Sequence, residues 1–121
     1  MPPYRSGAKI LIVDDEALIR SYVRDIVEEI GYAASEAGNA DAALQMLGKS
    51  GFSVVLTDIT MPGTLDGLEL AWTIRSKWPG VAVVIMSGRR LPWPHELPDS
   101  VRLLTKPFSP DSLIALLTDL I

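Results

Sequence analysis

Four places along this chain carry side chains suited to handling a charged group, and each lies at or just past the end of a stretch that reads as a strand. Ile10-Leu11-Ile12-Val13 runs into Asp14-Asp15, and Val54-Val55-Leu56-Thr57 into Asp58. Val83-Val84-Ile85-Met86 ends in Ser87-Gly88, and Lys106 follows Val101–Thr105. An unbroken apolar run closed by a polar residue is how a strand buried on both faces delivers one functional side chain to a sheet rim. At ~4 Å and an effective dielectric of about 20, two carboxylates repel by ~4 kcal/mol, so such a cluster calls for a cation or for shifted pKa values. Oxygen donors with neither His nor Cys beside them suit Mg²⁺, which takes one or two carboxylates and keeps room for phosphate oxygens. With the Lys106 ammonium and the Ser87 hydroxyl added, the set suits phosphoryl transfer to an aspartate, with Asp58 as the nucleophile. Plainer roles stand beside these: Asp15 as a helix cap, Ser87 bonded to its own backbone, and Lys106 as a solvated surface lysine.

The elements that must position these residues alternate along the chain. After the first strand, Lys9–Val13, the residues Leu18, Ile19, Tyr22, Val23, Ile26, Val27 and Ile30 recur at three- and four-residue steps. They predict the buried stripe of a helix that Gly31 stops. Tyr32–Ala37 is a weak, Ala-rich strand, and Gly38-Asn39 opens a helix through Ala43, Leu44 and Leu47. Phe52–Asp58 is the central strand. Asp66-Gly67 opens a helix with Leu68, Leu70, Ala71, Ile74 and Trp78, which Pro79-Gly80 ends. Val81–Met86 is a fourth strand and Val101–Thr105 a fifth. Between them Pro92, Pro94 and Pro98 argue against a full helix, since each interior proline costs one ~3 kcal/mol. Ser109-Pro110-Asp111 starts a last helix, with Leu113, Ile114, Leu117 and Leu120 inward. Strands alternating with helices predict an α/β fold, an open parallel sheet with helices on both faces and its ligand site beyond the carboxyl ends of the strands.

A chain of 121 residues is one domain in size, expected to span 8–121 behind a flexible arm of residues 1–7. A net charge of −4 argues against a nucleic-acid surface. No apolar run approaches the ~20 residues of a membrane span. The absence of cysteine excludes disulfide and thiolate chemistry and is consistent with the cytoplasm. His95, among prolines and without a second His or Cys, is expected to be exposed and idle; Trp72 and Trp78 pack or are partly exposed. Trp93 could anchor a partner or pack back, and Arg89-Arg90 could steer an acidic partner or simply be solvated.

Taken in order, Ile10–Asp15, Leu56-Thr57-Asp58-Ile59-Thr60-Met61-Pro62-Gly63, Asp66-Gly67, Ser87-Gly88 and Lys106-Pro107-Phe108 resemble the receiver domain of two-component response regulators over essentially the whole chain. The resemblance is to chemotaxis-regulator-like receivers, including those that stand alone or belong to hybrid histidine kinases. It implies a flavodoxin-like sheet of order 2-1-3-4-5 and a cis Lys106-Pro107 bond. It further implies that Asp58 accepts phosphate from a phosphohistidine on a sensor histidine kinase or a histidine phosphotransfer protein. Asp15, Asp58 and the backbone carbonyl of Thr60 would then hold Mg²⁺, with Asp14 acting mainly through water. Lys106 would contact the phosphoryl oxygens, and Ser87 would move onto the phosphoryl group as the switch. Such a domain catalyses its own phosphorylation and dephosphorylation but does not turn over a small-molecule substrate, and it signals through a changed protein-binding surface. A non-switching phosphate sink or scaffold is the alternative. A turnover phosphatase fits poorly, because Thr60 stands where a second acid would be needed. The chain departs from the family's pattern at Leu103, where an aromatic is usual, in the Pro-rich 91–98 segment that replaces much of the usual fourth helix, and in a slightly longer loop between Asp58 and Asp66.

Overall fold

The structure, a computed structural model, describes residues 8–61, 63, 65–88, 92 and 94–121. The N-terminal arm, Arg89-Arg90, Leu91 and Trp93 lie outside the described residues. Five strands, β1 (Lys9–Val13), β2 (Ala33–Ala37), β3 (Val54–Asp58), β4 (Ala82–Ser87) and β5 (Arg102–Thr105), form one parallel sheet in the order β2-β1-β3-β4-β5. Four helices connect and follow them: α1 (Ala17–Glu29), α2 (Ala40–Lys49), α3 (Gly67–Lys77) and α4 (Pro110–Leu120). The order is the one expected.

The two-residue period of the strands sorts their side chains into two cores. Leu11, Val13, Val55, Val83 and Ile85 face α2 and α3, meeting Ala43, Leu47, Leu70, Ala71 and Ile74. Ile10, Ile12, Val54, Leu56, Val84 and Met86 face α1 and α4, meeting Val23, Val27, Leu113 and Leu117. β3 is buried at every position because it is central and covered on both faces, whereas the outermost strands β2 and β5 keep partly exposed polar residues.

Helix ends follow the local chemistry. Asn39 accepts the Ala42 N–H at 2.8 Å, and Asp66 and Glu69 form a reciprocal capping box at the start of α3. Ser109 caps α4 ahead of Pro110, and Gly31, at φ 102°, turns the chain out of α1. Asp15 is not a cap: Glu16 occupies that position without a side-chain bond, and its N–H is taken by Asp14 Oδ1 at 2.9 Å.

Two expectations need correction. Leu18 is 85% exposed rather than buried. At ~100° per residue it lies more than a quarter-turn from the centre of the Val23–Val27 stripe, and Tyr22 falls on its shoulder, half exposed against Phe108. Trp78 ends up just beyond α3, because the helix stops at Lys77. Between β4 and β5 the described residues contain only a 3₁₀ turn, Pro94–Glu96, in place of a helix. Buried Pro92 and Pro98, and Leu97 and Val101 against the α2/α3 core, tie this connection down. The indole N–H of half-exposed Trp72 donates to the Glu96 carbonyl at 2.8 Å. His95 is exposed, as expected.

The start of α3 is fastened directly to the end of β3. Gly67 N–H donates to the Ile59 carbonyl at 2.8 Å, and a Cβ on Gly67 would stand 1.9 Å from the Asp58 carbonyl oxygen. Backbone cannot yield as a flexible side chain can. Gly67→Ala is therefore expected to cost on the order of 3 kcal/mol, read from the urea midpoint, and a loss below about 0.5 kcal/mol would show that the contact relaxes freely.

Candidate functional site

The carboxyl ends of β1, β3 and β4 and the turn after β5 meet at one rim. Fully buried Asp14 and exposed Asp15 follow β1, Asp58 closes β3 and is nearly buried, and Ser87 closes β4. One oxygen from each of Asp14, Asp15 and Asp58 lies within 4.8 Å of the others, the separation at which three carboxylates can share a cation. Lys106 reaches across from β5, with Nζ 3.0 Å from Asp14 Oδ2 and 3.3 Å from Asp58 Oδ1. The Lys106-Pro107 peptide is cis, as the resemblance implied.

Two other bonds hold the site in shape. Asp58 Oδ1 accepts the Ile59 N–H at 2.9 Å, and Lys106 N–H donates to the Ser87 carbonyl at 2.8 Å, tying the lysine's backbone to the end of β4. The Ser87 hydroxyl is buried and has no hydrogen-bond partner among the described residues, so it is not spent on backbone. An open cleft of about 470 Å³ gives access, lined by Asp15, Glu16, Asp58, Ile59, Thr60, Gly88 and Lys106. The structure thus brings together the sequence-expected set, with Asp14 and Ser87 behind the cleft wall rather than lining it.

The electrostatics follow from this crowding. Burial raises the Asp58 carboxyl above the usual carboxylate range; Lys106 pulls it back, and Asp14 adds to the rise. Burial works to lower the Lys106 ammonium, but its bonds and charge contacts with Asp14 and Asp58 outweigh it and hold the pKa above the usual lysine value. The donor set contains only carboxylate oxygens, with no His or Cys, and this is the chemistry of a hard divalent cation.

Sequence reasoning missed two features. Arg20 on α1 donates to the Asp14 carbonyl at 2.6 Å, a contact with no sequence signature because its acceptor is backbone. Beside the acidic cleft lies a cavity of about 480 Å³ lined by Ile19, Tyr22, Gly88, Lys106, Pro107 and Phe108, whose exposed surface is mostly apolar. Its one sequence signal is Tyr22, an aromatic whose three- and four-residue spacing instead points to the helix's buried stripe.

Comparison with known proteins agrees with this geometry. FleR of Pseudomonas aeruginosa, a response regulator protein, is 35% identical over 82 residues, covering 68% of this chain and 17% of FleR. A response regulator receiver protein of Sinorhizobium medicae superposes with a TM-score of 0.88 at 26% identity, covering 95% of this chain and 94% of that one. TrrA of Thermotoga maritima, a response regulator solved in complex with Mg²⁺-BeF, superposes with a TM-score of 0.80 at 29% identity, covering 94% and 99%. Against FleR, ResD and NtrX the chain spans only 17 to 28% of the relative's length. The profile of the response regulator receiver domain matches residues 10–118, and with the acidic rim, the lysine and the strand order in place, the chain belongs to the receiver domain family of response regulators.

Proposed function

We propose that Asp58 takes a phosphoryl group from a phosphohistidine on a sensor histidine kinase or histidine phosphotransfer protein, in a Mg²⁺-dependent reaction that alters a protein-binding surface. The observation that carries this reading is the convergence of three carboxylates with Lys106 Nζ 3.3 Å from Asp58 Oδ1. Asp58 Oδ1 is engaged by Lys106 and Ile59 N–H, which orients the carboxylate; an Asp58 oxygen attacks phosphorus as the phosphorus–nitrogen bond of the donor breaks and the electron pair returns to imidazole. Asp15, Asp58 and the Thr60 carbonyl would hold the metal, with Asp14 contributing through water. Bound Mg²⁺ supplies positive charge for the transferring oxygens. TrrA, with its Mg²⁺-BeF complex, supports that assignment.

Lys106 adds a fixed positive charge beside the incoming phosphoryl oxygens, and the free, buried Ser87 hydroxyl is a ready donor for them once β4's end shifts. The apolar cavity beside Lys106 supports docking of the donor protein next to the acceptor. No described helix is long and apolar enough to cross a membrane, and the lack of cysteine supports a cytoplasmic setting. With Leu103 39% exposed in place of an aromatic, the change in surface is carried through the Pro-bearing β4–β5 connection.

Acetyl phosphate with Mg²⁺ is expected to label the wild type at Asp58, and Asp58→Ala to remove the label; a variant labelled as strongly as wild type defeats the assignment. Adding Mg²⁺ and beryllofluoride should slow amide exchange between Leu97 and Thr105, whereas identical exchange with a filled site would favour the passive phosphate sink. In metal-free protein, Lys106→Met is expected to raise the Asp58 midpoint further, because it removes the one charge that opposes burial and Asp14. Carbon-13 NMR of the carboxyl reads this directly, and a lowered midpoint would contradict it.

A further inference from the structure

We propose that Arg20 is a positioning residue for the acidic site, clamping the β1–α1 turn so that Asp15 is held ready for the cation; this rests on the reading of the site given above. The side chain is one-fifth exposed and points back from α1 across the end of the sheet. Its Nη1 donates to the Asp14 carbonyl at 2.6 Å and its Nε to Glu36 Oε1 at 2.9 Å. Glu36 lies on β2 in register with Ile12 of β1, and its other oxygen accepts Arg24 Nη1 at 3.0 Å, so the anchor is itself held from both sides. Arg24 in turn pairs with Glu28 at 3.2 Å.

What Arg20 holds is the peptide plane between Asp14 and Asp15. The Asp14 amide already donates to the Ala37 carbonyl at 3.2 Å, and its carboxylate oxygens serve Glu16 N–H at 2.9 Å and Lys106 Nζ at 3.0 Å. The carbonyl is the remaining acceptor on that residue, and Arg20 takes it. Because the peptide is planar, fixing the carbonyl of Asp14 also fixes the amide of Asp15, the plane from which the exposed Asp15 side chain departs. Among the described residues the Asp15 side chain makes no hydrogen bond or ion pair of its own, so its orientation depends on the clamp.

Charge and positioning make opposite forecasts, which renders the idea testable. A guanidinium beside an acidic cluster repels an incoming cation, so if charge alone mattered its removal would tighten Mg²⁺ binding. A lost orienting contact weakens it instead, by roughly tenfold for groups that support metal ligands from behind. The experiment is calorimetric titration of the full chain with MgCl₂ for wild type, Arg20→Ala, Arg20→Met and Arg24→Ala, with thermal unfolding of each. Arg20→Met keeps the aliphatic stem and provides the measurement should the alanine variant fold poorly. Arg24→Ala removes one ion pair to the same Glu36, and one to Glu28, without touching Asp14 and controls for general loosening.

The expected result is a roughly tenfold weaker Mg²⁺ affinity in both Arg20 variants and wild-type affinity in Arg24→Ala, with Asp58 labelling by acetyl phosphate slowed at low Mg²⁺ and recovered at saturating Mg²⁺. Unchanged or tighter binding in the Arg20 variants, or equal weakening in Arg24→Ala, overturns the positioning role while leaving the site intact. A wild type that neither binds Mg²⁺ nor labels at Asp58 overturns the reading of the site, and the role of Arg20 with it.

Discussion

The ion pairs from Lys106 to Asp14 and Asp58 are the contacts on which the rest of this molecule's chemistry depends. Without them the rim would hold three carboxylates in mutual repulsion, one of them fully buried, and burying an unpaired charge is among the costliest things a fold can do. The lysine balances part of that charge and leaves the balance incomplete. The remaining negative charge suits the cleft to a divalent cation, whose own charge, with that of Lys106, would then offset the repulsion of a phosphate.

Everything beneath the rim serves to keep four chain segments in register. Parallel pairing sets Asp58 beside Met86 and Ser87 beside Thr105, so the ends of β3, β4 and β5 arrive at one edge together. The buried aliphatic faces cannot slip by one residue without turning their whole set outward, which gives the acidic residues a rigid base. Gly67 closes the arrangement from the other side, bringing the start of α3 against the backbone of Asp58 more closely than any side chain would permit.

Where the fold departs from a regular alternation, it does so in the segment that leaves the site at Ser87-Gly88. The β4–β5 connection gives up a helix for a proline-bearing path anchored by Trp72, Leu97 and Val101. Among its described residues this connection holds only a 3₁₀ turn and the Val101 N–H to Pro98 carbonyl bond, less regular backbone pairing than a helix would have, and exposed Leu103 lies just beyond it. The acidic rim and the β4–β5 connection are thus built from different kinds of structure, one set by strand pairing and the other by side chains packed onto the α2/α3 core.

By itself the sequence determined the fold class, the carboxyl ends of the strands to within a residue and the candidate groups that meet at the rim, because these rest on local signals: apolar runs closing in Asp58 or Ser87, capping residues such as Asn39 and Asp66, and prolines that forbid a helix. The family resemblance added the strand order and the cis Lys106-Pro107 bond, neither of which periodicity encodes. Only the tertiary structure decided that Leu18 and Tyr22 leave the buried stripe of α1, since three- and four-residue spacing does not say where a helix's neighbours end. It alone decided that Asp15 faces the cleft instead of capping α1, that the Ser87 hydroxyl is left unspent, and that Arg20 grips the Asp14 carbonyl. The reason is common to all three: a hydrogen bond to backbone, or the lack of one, depends on which segments are brought side by side, and a backbone carbonyl looks the same at every position in a sequence.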